Sequence, residues 1–134
     1  MKDLKEVNLG EEIQGVVKEV TQQKINKYAE ASGDFNPLHI DPEFAKNTRF
    51  HGTIAHGLLT LAYISQMMYN WAGARWFGNS SIEVSFLAPV MSGDLVVAKG
   101  VVKEKRDDGS VICEVCCENE KGTKVIAGKA TVLF

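Results

Sequence analysis

Between Ile54 and Trp71 the chain carries its longest apolar stretch, interrupted by His56, Ser65, Gln66 and Asn70. The part from Ala55 to about Asn70 reads as a long helix with apolar residues on nearly every side. A helix of that kind must be enclosed by the rest of the molecule. A membrane span needs about twenty more uniformly apolar residues, so the segment is expected to be a buried helix. The remaining sequence must therefore supply a wrapper. With 134 residues, 45% of them apolar, the chain is long enough for one continuous core, and residues 1–134 read as a single domain. No internal repeat, low-complexity tract or interdomain linker divides it.

The wrapper is legible after Gly73, where the pattern changes to strands: Ser80 to Leu87, Asp94 to Lys105, Val111 to Glu118 and Thr123 to Phe134. Asp107-Asp108-Gly109 and Asn119-Glu120-Lys121-Gly122 are the polar, glycine-bearing connections of antiparallel hairpins. In the third of these strands Val111, Cys113, Val115 and Cys117 form an apolar face, while Ile112, Glu114, Cys116 and Glu118 form a mixed one. That alternation implies a sheet covered on one side. Around Gln14 to Val20, Val16, Val17 and Val20 supply a further strand. The economical arrangement is an α+β hot-dog fold, a curled antiparallel sheet of about five strands wrapped around the long central helix.

Between the first strand and the central helix lies a polar segment. Thr21 is placed to cap a helix that carries Ile25, Tyr28, Ala29 and Ser32 and stops at Gly33. Asp41-Pro42-Glu43 starts another, with an aspartate cap and proline at the first helical position. The loop between them, Ser32 to Asp41, concentrates Asp34, Asn36 and His39 around an Asn36-Pro37 turn, and loops on rigid supports often carry function. The turn can bring the Asp34 carboxylate and the His39 imidazole onto one small volume, where a shared water would be activated and its proton relayed. Thr48 to Thr53 looks irregular.

Gly57 falls in the first turn of the apolar helix, where backbone N–H groups lack intrahelical partners. Its missing side chain lets a ligand approach, which makes its amide a candidate donor to a developing oxyanion. His56 is a candidate substrate contact, although a histidine entering a buried helix is more often hydrogen-bonded within the core. Ser65, two turns beyond Gly57, either touches substrate or bonds back to the carbonyl of Leu61. Met67, Met68, Tyr69 and Trp71 are expected to pack in the core or a pocket wall and not to form a cofactor site; Tyr63, Ser65, Met67, Met68 and Trp71 are also placed to influence the depth of a pocket.

Composition excludes several classes. A formal charge of −2 gives no positive field to gather nucleic acid or an anionic membrane. The first residues lack the apolar run of a signal peptide, so cytoplasm is the expected location. Cys113, Cys116 and Cys117 are an odd, clustered set, expected to be reduced apolar strand residues. Although Cys113 and Cys116 have C-x-x-C spacing, no second ligand pair completes a zinc site, and no metal is expected.

The run from Tyr28 to Ala45, containing Ser32-Gly33-Asp34-Phe35-Asn36-Pro37-Leu38-His39, resembles the hydratase-2 motif of the MaoC-like (R)-specific enoyl-CoA hydratases. The likeness continues through Ile54-Ala55-His56-Gly57-Leu58-Leu59 and Ser85-Phe86-Leu87-Ala88-Pro89-Val90 to Gly93-Asp94. It implies a hot-dog homodimer with an acyl-CoA tunnel near the subunit interface. It further implies an acid/base pair in Asp34 and His39 and an oxyanion donor in Gly57. Asn36 and Ser65 match positions that order the loop, water or substrate.

The implied reaction is reversible addition of water to trans-2-enoyl-CoA, giving (R)-3-hydroxyacyl-CoA. It requires no cofactor beyond the CoA of the substrate. An acyl-CoA thioesterase and a noncatalytic acyl-thioester binding module are the alternatives, since a fold alone does not assign chemistry. The scattered cations Lys46, Arg49, Arg75 and Lys124 would suit either the phosphates of CoA or an acidic carrier protein.

Overall fold

The computed structural model describes residues 2–134. The chain runs β1 (Glu12–Glu19), α1 (Gln22–Ser32), α2 (Pro37–Ile40), α3 (Pro42–Ala45), α4 (Gly57–Ala72), β2 (Ser80–Phe86), β3 (Leu95–Lys105), β4 (Ser110–Asn119) and β5 (Lys124–Leu133). The strands form one antiparallel sheet in the order β1-β3-β4-β5-β2. The sheet curls over α4, which packs against β1, β3, β4 and β5. This is the expected hot-dog arrangement.

Strand alternation decides which face meets the helix. On β4, Val111, Cys113, Val115 and Cys117 are buried, whereas Ile112 and Cys116 are half-buried and Glu114 is exposed. Ile64, Met67 and Met68 of α4 are fully buried on the other side of this layer. Each such side chain contributes about 1.5–3 kcal/mol by leaving water. The layers approach closely at Gly100, where an added Cβ would lie 3.0 Å from the Met67 methyl carbon and 3.1 Å from Ile13 Cδ1. Glycine there leaves room for the thioether.

The central helix starts at Gly57, two residues later than the apolar pattern suggests, and runs on to Ala72. The cause is a tether across the sheet end. Ile54 forms an isolated antiparallel bridge with Met91, and Ala55 N–H donates to Val90 O at 2.8 Å, which holds both residues extended. A 3₁₀ turn at Gly73–Phe77 separates the helix from β2. The expected loop around Asn36-Pro37 contains a single helical turn, α2. Cys113, Cys116 and Cys117 are free thiols, and burial pushes those of Cys113 and Cys117 up to about 12. They serve as small apolar residues of the inner sheet face, apart from half-buried Cys116.

Candidate active site

Local signals set the Asp34 backbone. The Thr21 hydroxyl accepts from Lys24 N–H, and Gly33 closes α1 in the left-handed region at φ 77° with its N–H on Ala29 O. The chain leaves the helix at that point and presents Asp34. The carboxylate Oδ1 accepts from Asn36 N–H at 3.1 Å, and Asn36 Oδ1 accepts from Leu38 N–H at 3.0 Å. Asn36 therefore caps α2, the turn that carries His39. The two nested side-chain turns fix the separation of carboxylate and imidazole.

Longer-range contacts orient the ring. His39 Nδ1 lies 2.8 Å from Ile54 O, and a carbonyl can only accept. Nδ1 thus carries the proton, which leaves Nε2 as the free nitrogen of the neutral ring. The same strand end returns a bond, from Ile54 N–H to Leu38 O at 3.2 Å. Gln22 braces the turn from α1: its Nε2 donates to His39 O at 2.8 Å, and its Oε1 accepts from the Thr53 hydroxyl at 2.6 Å.

His56, the N-cap of α4, is 3% exposed. Its Nε2 donates to the backbone carbonyl of Asp34 at 3.0 Å, and its ring stacks on His39 with centroids 3.9 Å apart and Tyr28 on another side at 4.8 Å. Its Nδ1 is buried without a partner. His56 is thereby a core histidine that ties the Asp34 loop to the start of the central helix.

Asp34, His39, His56 and Gly57 line one cavity of about 240 Å³, together with Tyr28, Ser32 and Leu58. One ligand atom from each of Asp34, His39 and His56 lies within 4.8 Å of the other two. One water molecule can span the carboxylate and imidazole at that range. Two imidazoles and a carboxylate are also metal-ligating types. A shared metal, however, would have to lie in both ring planes about 2 Å from each nitrogen. Rings stacked with planes only 28° apart do not converge at that distance.

Gly57 also lines a second cavity of about 420 Å³, bounded by Arg49, Ile54, Phe86, Leu87, Val90 and Ile126 among others. As the first residue of α4 its N–H has no intrahelical acceptor. A Cβ at this position would sit 2.8 Å from Phe86 Cε1. The bare backbone is therefore needed where the two cavities adjoin.

The structure gathers Asp34, His39, His56 and Gly57 and places the other two candidates elsewhere. Asn36 orders the loop but does not line the cavity. Ser65 lines neither cavity. Its hydroxyl accepts from Trp76 Nε1 at 2.8 Å, which links the central helix to the 3₁₀ turn that follows it. Met67 and Met68 are core residues, and Trp71 donates to Glu11 Oε2 at 3.3 Å. The apolar cavity wall instead comes from the ends of β2 and β5 and the β2–β3 connection. Gln22, Thr53 and Tyr28 are site neighbours that the sequence did not single out. Nothing in their spacing signals a reach of 17 residues from Gln22 to His39.

Comparison with known proteins gives a consistent result. Residues 6–123 match the family model described as MaoC like domain. The chain is 35% identical over 126 residues to an (R)-specific enoyl-CoA hydratase of Rhodospirillum rubrum, covering 88% of this chain and 82% of that protein. It is 38% identical over 91 residues to a 3-hydroxybutyryl-CoA dehydratase of Methylorubrum extorquens, covering 65% of this chain and 55% of that protein. Among solved structures, the (R)-hydratase from A. caviae involved in PHA biosynthesis superposes with a TM-score of 0.85 at 29% identity, over 94% of this chain and 96% of that one.

Proposed function

The chain belongs to the MaoC-like domain family, and from that membership we propose that it is an (R)-specific enoyl-CoA hydratase. It adds water to trans-2-enoyl-CoA to give (R)-3-hydroxyacyl-CoA, and runs in reverse as a dehydratase. The observation that carries this reading is the single cavity lined by Asp34, His39 and Gly57.

Asp34 and the free Nε2 of His39 take a proton from one water, whose oxygen bonds to the β-carbon of the substrate. The double-bond electrons move toward the thioester carbonyl, and the enolate oxygen accepts from the Gly57 N–H. The proton is returned to the α-carbon. Water, a proton relay and an oxyanion donor balance the reaction, so it calls for no metal or redox group.

The protein acts as a homodimer. β1 and β2 are the edges of an open sheet, and Phe86 and Leu87, at the end of edge strand β2, are 54% and 57% exposed. Pairing with a second copy would cover such an edge. No helix among the described residues is long and apolar enough to cross a membrane. Three free cysteines support work in the reducing cytoplasm.

Crotonyl-CoA tests the assignment. Loss of the enoyl absorbance without release of free thiol, with (R)-3-hydroxybutyryl-CoA on chiral analysis, is the expected result. Thiol release with the chromophore retained would make the protein a thioesterase. Binding without turnover across a series of enoyl-CoA lengths would make it a binding module.

A further inference from the structure

The larger cavity has an uneven chemistry. Of the thirteen residues that line it, Arg49 is the one with a charged side chain; the others include Phe50, Ile54, Phe86, Val90 and Ile126. Arg49 is also the free one of the three arginines. Arg75 bonds Lys2 O and pairs with Asp3, and Arg106 pairs with Glu104, whereas among the described residues Arg49 has no carboxylate or carbonyl partner. Its guanidinium is held 4.8 Å from the centroid of the Phe50 ring, which orients it without occupying its N–H donors. A cavity of mixed wall that is lined by both Gly57 and one unengaged guanidinium fits a ligand with a weakly polar arm and an anionic group.

We infer that Arg49 is a substrate-binding residue that anchors a phosphate of the thioester's carrier while the thioester sits at Gly57. The inference rests on the proposed hydratase reading, because it assigns the larger cavity to the carrier arm of the same substrate. Guanidinium is suited to the role: its planar donor fork matches phosphate oxygens bidentately and it stays charged at any working pH.

The test compares crotonyl-CoA, crotonyl-4′-phosphopantetheine and the crotonyl N-acetylcysteamine thioester, which carries no phosphate. Arg49→Gln is expected to raise KM for crotonyl-CoA about tenfold with kcat within about twofold, and to leave the N-acetylcysteamine thioester unchanged, as for loss of a charge-assisted bond at a solvent-facing rim. Arg49→Lys should recover part of the loss, and the wild-type KM should climb more steeply with salt than that of the glutamine variant. A loss shared by the phosphopantetheine substrate identifies the pantetheine phosphate as the anchored group. A loss confined to CoA identifies a phosphate of the nucleotide.

Equal loss on all three substrates, or on none, would overturn the assignment. Calorimetric titration of free CoA reads the same contact without turnover. An Arg49-dependent affinity for CoA in a protein that hydrates nothing would keep the contact and discard the reaction, and an active hydratase whose CoA affinity ignores Arg49 would do the opposite.

Discussion

His56 Nε2 donates to the main-chain carbonyl of Asp34 at 3.0 Å, joining the N-cap of the central helix to a loop 22 residues earlier. The bond fixes the backbone, and with it the direction in which the Asp34 carboxylate projects. His56→Phe keeps a ring against His39 but removes the donor. It is expected to destabilise the fold by about 0.5–1.5 kcal/mol, the net worth of one part-buried hydrogen bond, and to lower kcat more than it raises KM. Urea unfolding followed by steady-state kinetics measures both, and unchanged values would show that the contact positions nothing.

Asp34 and His39 are separable by chemistry. Asp34→Asn preserves an acceptor for Asn36 N–H while removing the charge, and His39→Ala removes the ring. Each is expected to lower hydration of crotonyl-CoA by at least about a hundredfold with the fold intact, the usual scale for acid/base groups. Turnover near that of the wild type in either variant, with matching circular dichroism, would remove that residue from the mechanism.

Gly57 faces the Phe86 ring so closely that a methyl group would collide with Cε1 at 2.8 Å. Gly57→Ala retains the backbone amide, so its effect reports crowding alone. A tenfold to hundredfold fall in kcat/KM, roughly the scale of a misplacement by an ångström, is expected with little change in Tm. Phe86→Ala in the same chain should restore much of the activity, since the exposed ring is the obstacle. If the double variant stays as impaired as the single one, steric contact with Phe86 is not the cause.

The inner sheet face makes a prediction about thiol chemistry. Desolvation pushes the Cys113 and Cys117 thiols up to about 12 and also raises that of half-buried Cys116. A thiolate is the reactive form, so all three react slowly in the native protein near about pH 8, and Cys116 reacts first. Denaturant should make all three available at once. Mass spectrometry after timed alkylation checks the order; rapid native labelling of Cys113 or Cys117 would contradict their burial.

The sequence by itself determined the enclosed helix, the antiparallel meander and the presence of a carboxylate, an imidazole and a bare helix N-terminus in the right order. These features are encoded within one helical turn or one strand: the burial of Ile64, Met67 and Met68, the alternation along β4 and the Gly33 stop each depend on neighbours a few residues away. Tertiary structure alone decided which His39 nitrogen is free, because that follows from Ile54 being held beside Met91. It also gave Ser65 to Trp76, built the cavity wall from β2 and β5 instead of the methionines of α4, and left Arg49 unpaired at its rim. The physical reason is that spacing along a chain records local geometry, whereas partners brought together by closing long loops carry no periodic signal.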